Sequence, residues 1–339
     1  MPSGCDTESF RALMERFSAR LGVVGLIPFL LVLVVIGMAL VEPRFYGLPN
    51  LFNILRNTSF LAIMACGQML VMIVGGMDLS VGVTAALASV VAAKVMASAT
   101  EAYGFDPGAA MLLGILVSLG SAAAVGLLNG LCSVLLRVPS LIVTLGTLSI
   151  VSGITLMMTS GMPVYGLPQG FITDFGRALW WGVPAPAYVA VAVVAAVWLL
   201  QRKTVLGTYI YAIGGNPLAA IVSGISATFY VVLTFVLCAL LASVTGLLIT
   251  AQMGSGQTNL GGDRLMLLSI AAAVIGGTSL RGGIGRAEIV GLSALFLSTL
   301  TNALNLLRIN SKKELVVLGV VVVAAVAIDS LGRGKAAVE

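Results

Sequence analysis

The sequence predicts an all-α, polytopic membrane protein of about ten transmembrane helices, and three observations carry that prediction. The 339 residues are 59% apolar and only 9% charged, with a mean hydropathy of +1.10. Soluble domains hold roughly 45–50% apolar and about 25% charged residues. Apolar stretches near the roughly 20 residues a bilayer-spanning helix requires recur along the whole chain. No charged or low-complexity segment long enough for a second domain interrupts them.

Taken in order, the spans fall at 22–41, 58–76, 81–99, 109–131, 141–159, 184–201, 228–250, 265–280, 287–307 and 315–331. Residues 1–21 carry Glu8, Arg11, Glu15, Arg16 and Arg20 and form a cytoplasmic segment. Residues 22–331 form one transmembrane domain, and 332–339 form a cytoplasmic tail. The first span has no small-x-small cleavage site after it, so it reads as retained rather than as a signal peptide. The eighth span is short and carries Gly276-Gly277 near its end, which points to a broken or re-entrant helix.

A cytoplasmic amino terminus puts ten of the 18 Lys and Arg residues inside: Arg11, Arg16, Arg20, Arg137, Arg202, Lys203, Arg281, Arg286, Arg333 and Lys335. Seven fall outside: Arg44, Arg56, Arg177, Arg264, Arg308, Lys312 and Lys313. Lys94 lies within a span, from which its long stem reaches toward the surface. The bias favours both termini in the cytoplasm.

Whole classes of chemistry are excluded by absences. There is no histidine, so imidazole bases, Ser-His nucleophiles and His-ligated metals are out of reach. The four cysteines, Cys5, Cys66, Cys132 and Cys238, show no CxxC spacing, and no metal site is expected. No phosphate loop occurs, because Gly334-Lys335 is followed by Ala336. No basic stripe suggests nucleic acid. Without paired intramembrane carboxylates, a membrane-embedded enzyme has no catalytic constellation to use, and no catalytic residue is expected.

Four segments carry information. Between the second and third spans runs Gly75-Gly76-Met77-Asp78-Leu79-Ser80-Val81-Gly82. Its glycines permit a tight turn, while Asp78 can cap the next helix or serve as a ligand. Arg137-Val138-Pro139-Ser140 then leads into a helix on which Thr144 and Thr147 share a face, either bonding their own backbone or lining a polar path. On the fourth span, Ala122, Gly126 and Gly130 share a face suited to close helix packing, within the subunit ahead of the other reading, a dimer seam.

The third segment is Tyr211-Ala212-Ile213-Gly214-Gly215-Asn216-Pro217-Leu218-Ala219-Ala220-Ile221-Val222-Ser223-Gly224. Asn216 suits an N-cap, Pro217 the first helical position and Gly224 the stop. The result is a cytosolic helix of about two turns, too short to persist unless something packs on it. That something is either the chain's own cytoplasmic ends or a partner protein. The fourth segment, Ile275-Gly276-Gly277-Thr278-Ser279-Leu280-Arg281-Gly282-Gly283-Ile284-Gly285-Arg286, combines glycines with two arginines. A cytoplasmic loop accounts for the arginines, and the glycines indicate helix breakage and close backbone approach.

These four segments, in this order, resemble the permease subunits of bacterial ABC importers of the ribose/xylose/arabinose class. The resemblance runs from about residue 22 to 331. It implies a type II importer permease-like fold and a homodimeric pore in the bacterial inner membrane. Two cytosolic ATPase domains would lie below, carrying the ATP and Mg, with a periplasmic sugar-binding protein above and no cofactor in this chain. The helix near 216–224 then looks like the coupling helix, with Gly214, Gly215, Asn216, Pro217, Ala219, Ala220 and Gly224 at the ATPase contact. The helix-turn residues are Gly75, Gly76, Asp78, Ser80, Gly276 and Gly277. Two positions depart from the pattern: Leu218 stands where relatives often carry an acidic residue, and Leu265-Met266-Leu267-Leu268 lacks acids frequent in sugar-specific relatives.

The polar residues available to line a translocation path are Gln68, Asn129, Thr144, Thr147, Thr278, Asn302 and Asn305, with helix–helix hydrogen bonding as their other use. The alternative function is an ion-coupled secondary transporter of small polar solutes. Such a carrier keeps ionisable groups at depth, whereas here Asp78 and Asp329 stand near span edges.

Overall fold

A computed structural model describes residues 27–260, 262–310, 312–314, 316–320 and 323. The segments 1–21 and 332–339, and most of the predicted last span at 315–331, lie outside the described residues. The helices are α1 (Ile27–Val41), α2 (Leu48–Ile73), α3 (Val81–Glu101), α4 (Pro107–Leu135) and α5 (Ser140–Thr159). They continue as α6 (Ala185–Lys203), α7 (Val205–Gly215), α8 (Pro217–Val222), α9 (Ala227–Met253), α10 (Gly262–Ile275) and α11 (Ala287–Leu306). Between α5 and α6 come a π-helical turn at Phe171–Arg177 and a two-stranded hairpin, β1 (Leu179–Trp180) with β2 (Val183–Pro184).

Seven of these helices, α2 to α6, α9 and α11, are long and apolar enough to cross a membrane. The expected first span keeps 15 described helical residues in α1. The eighth has 14, in α10, which stops before Gly276-Gly277 rather than running through to 280. Conversely, α2 begins at Leu48, well before the predicted 58. Pro49 suits its first turn, and Asn50 holds that turn by donating to the Phe45 carbonyl at 2.9 Å.

The spanning helices alternate in direction, so their connections gather at two ends. At one, here the turn end, Gly283 donates to the Ile73 carbonyl at 2.8 Å and the Met77 N–H donates to Ser140 Oγ at 3.0 Å. At the opposite hairpin end, Val164 pairs with Gly256, and Arg177 Nε donates to the Gln252 carbonyl at 3.1 Å.

The core is built on α2, α3 and α9. Their faces are rich in small residues, and backbones meet closely because lipid offers no hydrophobic drive for helix association. A Cβ at Gly126 of α4 would stand 2.5 Å from the Phe235 carbonyl oxygen, and one at Gly130 would stand 2.7 Å from Val232 Cα. Ala122 is fully buried, so the predicted small-residue face of α4 is spent within the subunit, against α9. By contrast α5 packs mainly on α3 and α4 and leaves Leu141, Ile142, Leu145, Ile150 and Met157 exposed. Such an apolar exterior suits a lipid solvent.

Candidate functional site

At the turn end, residues scattered through the sequence converge. Asp78 Oδ1 accepts from the Ser80 N–H at 2.8 Å and from Ser80 Oγ at 2.6 Å. Ser80 Oγ in turn accepts from Asn129 Nδ2 at 2.8 Å, and Thr147 Oγ1 donates to Asn129 Oδ1 at 2.6 Å. Thr144 Oγ1 donates to the Ser140 carbonyl at 2.8 Å. The network thereby ties the turn between α2 and α3 to α4 and α5. Asp78, Ser80, Asn129 and Thr144 are all buried. Asp78 is therefore a buried residue of the turn that accepts from the Ser80 N–H at the entry to α3. Burial pushes its carboxyl above the usual range, while hydrogen bonds from Ser80 and Asn129 act in the opposite sense.

The two glycine pairs terminate helices in the same way. Gly75 (φ +81°) donates to the Met72 carbonyl and Gly76 to that of Val71. Gly277 (φ +77°) donates to the Val274 carbonyl and Thr278 to that of Ala273. Both are Schellman-type stops, whose left-handed residue favours glycine. Past the second stop, the chain folds back so that Gly282 and Gly283 pack on Gly214 and Gly215 at the end of α7.

α7 and α8 sit on these turns. Asn216 Oδ1 accepts from the Ala219 N–H at 3.0 Å, Pro217 takes the first turn of α8, and Gly224 (φ +82°) follows its end. Ala220 is buried, whereas Leu218, Ala219, Ile221 and Val222 are exposed, with Val222 at 88%. The two glycines before α8 differ. A Cβ at Gly214 would run into the Ile73 carbonyl oxygen, while one at Gly215 would meet nothing.

Several pairings at this end gave no sequence signal, because the partners are distant in the chain. Arg202 pairs with Glu288 at 2.7 Å, and Gln201 Oε1 accepts from the Ala287 N–H at 3.0 Å, capping α11. The Tyr211 hydroxyl donates to the Gly285 carbonyl. Burial first, then the nearby Glu288 carboxylate, pushes the Tyr211 phenol up to about 12, which keeps it a donor. Together with Gly283, Ile284 and Arg286 these side chains line a cavity of about 510 Å³.

The candidate path residues do not share one surface in a single chain. Asn129, Thr144 and Thr147 belong to the turn-end network. Gln68 is fully buried in α2, with neither amide atom bonded among the described residues, and Thr278 Oγ1 is likewise buried without a partner. Asn302 sits near the hairpin end in a reciprocal pair with Asn50, at 3.0 and 2.7 Å. Asn305 is exposed, so the two asparagines of α11 serve different surroundings.

The family described as "Branched-chain amino acid transport system / permease component" matches residues 50–326. The chain is 38% identical over 307 residues to the ribose import permease protein RbsC of Escherichia coli, covering 89% of this chain and 91% of that protein. It is 37% identical over 325 residues to the RbsC of Bacillus subtilis, covering 95% and 96%. It is 35% identical over 316 residues to the galactose/methyl galactoside import permease protein MglC of Escherichia coli, covering 91% and 94%. No solved structure matches the chain significantly. The chain belongs to this permease family, as the multi-pass, non-catalytic and cofactor-free transmembrane subunit of an ABC importer.

Proposed function

We propose that the chain is the pore subunit of an ATP-driven importer of a monosaccharide or related small polyol in the bacterial plasma membrane. Ribose, D-allose and galactose permeases are among its relatives, which supports the sugar class over the amino acids named in the family description. A permease component works with ATPase subunits and a solute-binding protein, and here two copies of the chain would enclose the pore.

The observation that carries the reading is α8. This six-residue helix, capped by Asn216, holds out Leu218, Ile221 and Val222 at the turn end. An exposed apolar helix this short fits an ATPase cleft, with Gly214, Gly215, Asn216, Pro217, Ala219, Ala220 and Gly224 shaping its seat. The turn end then faces the cytosol. α1 starts at that end and the predicted last span would return to it, so both termini are cytosolic. Gln68, Asn129, Thr144, Thr147, Thr278, Asn302 and Asn305 are the polar groups available to the path when the pore opens. Each partner would bias that opening by its differential affinity for the open and closed states.

The test is uptake in proteoliposomes holding the chain, its ATPase and its binding protein, with labelled ribose, D-allose, galactose and leucine offered in turn. ATP-dependent uptake of a sugar and none of leucine is the expected result. Uphill sugar transport by the chain alone would overturn the reading, as would uptake of leucine only.

A further inference from the structure

Lys94 is a charge the permease reading does not use. It stands seven residues before the end of α3, in the half nearer the hairpin end. About 10 Å of helix separates it from Glu101. Its ammonium has neither a salt bridge nor a hydrogen bond among the described residues.

The side chain lines a groove of about 380 Å³ between α3 and the start of α4, together with Val95, Ser98, Tyr103, Phe105 and Leu113. Ser98 and Tyr103 supply the other polar side chains there. The Tyr103 and Phe105 rings meet edge to face with centroids 6.4 Å apart. On α4 the groove adjoins the exposed apolar residues Leu112 and Leu116. Tyrosines concentrate at the headgroup level of a bilayer, and a lysine stem reaches from within a span toward that level. A cation that has no protein counter-ion among the described residues, beside an exposed tyrosine and next to an apolar helix face, suits the two-part chemistry of an acidic lipid.

We propose that this groove binds an anionic phospholipid of the leaflet at the hairpin end. Its phosphate meets the Lys94 ammonium and the hydroxyls of Ser98 and Tyr103, and one acyl chain runs along Val95, Phe105 and Leu113. Selectivity for net charge follows because a zwitterionic headgroup carries its own ammonium beside the phosphate.

The experiment places the full chain in phosphatidylcholine nanodiscs and compares immobilisation of spin-labelled phosphatidylglycerol and phosphatidylcholine. The wild type should prefer phosphatidylglycerol about fivefold, the scale of one membrane-surface lysine. Lys94→Gln should bring that preference close to parity and Lys94→Arg should keep it. Leu113→Trp, which fills the groove and leaves the charge in place, should also lose it, so the site remains testable if Lys94→Gln fails to fold. Three results would overturn the proposal: an undiminished preference in both Lys94→Gln and Leu113→Trp, displacement of the lipid by inorganic phosphate, or a disulfide between two copies at Ser98→Cys. The last would show that a second copy covers the groove.

Discussion

Gly283 donates its N–H to the carbonyl of Ile73 across 2.8 Å, joining the loop after α10 to the last turn of α2. Gly214 of α7 packs against the same carbonyl, so the segment leading into α8, the end of α2 and the loop after α10 share one backbone junction. The segment leading into α8 therefore meets α2 and the loop after α10 through backbone rather than through a flexible side chain.

The junction has no room for a methyl group at Gly214, whereas Gly215 beside it is open. Gly214→Ala should destabilise the protein by about 1–3 kcal/mol, the usual cost of overpacking. Gly215→Ala should be neutral or slightly stabilising, because alanine favours the helix. Thermal melts of the two purified variants check the difference, and equal melts would contradict the packing.

The exposed residues of α8 separate docking from folding. Leu218→Asp and Val222→Asp should leave the melting temperature within a degree or two of wild type, because both side chains are exposed. The same variants should lower co-purification of the ATPase at least tenfold. Ala220→Trp should fail earlier, in folding, since Ala220 is buried. Wild-type ATPase recovery with both aspartate variants would remove α8 from the interface.

The Asp78 carboxyl, pushed up by burial, should make the stability of the turn-end network depend on pH. A carboxyl raised in the folded state contributes stability that is full below its unfolded pKa, about 3.9. That contribution is lost as pH rises through the folded-state value. Melting temperature should accordingly fall on moving upward through that window. Asp78→Asn, which keeps an oxygen to accept from Ser80, should flatten the dependence. Parallel pH profiles for the two proteins would show that the carboxyl is not the source.

Asn50 and Asn302 form a reciprocal amide pair between α2 and α11. Asn50→Ala should cost about 1–3 kcal/mol by leaving the buried Asn302 unsatisfied. The double variant Asn50→Leu with Asn302→Leu should recover part of that loss. A double-mutant cycle measures the coupling, expected near 0.6 kcal/mol and at most about 1.7 kcal/mol. A coupling of zero would mean that the pair holds nothing together.

The apolar runs located α3 to α6, α9 and α11 to within a few residues, and Asn216-Pro217 with Gly224 marked α8. Helix rotation was not legible. In lipid, core-facing and lipid-facing sides are both apolar, so hydropathy carries little information about which way Asn302 or Asn305 points. Nor could spacing show that Asp78, Ser80, Asn129 and Thr147 meet, since the bonds link residues up to 49 positions apart. The 11-residue α7 is too short to announce itself as a span, and its role depends on a glycine contact with α2.

The glycine seams along α9 have a mechanical consequence. Backbone meets backbone at Gly67, Gly126 and Gly246, so α9 has no lubricating layer of side chains on which to slide past α2, α4 or α3. Those four helices move as one chassis. Less firmly held by that frame is α5, which packs mainly on α3 and α4 and leaves much of its surface exposed, whereas α10 is locked in by Ala271, Ala272 and Ala273 in the core.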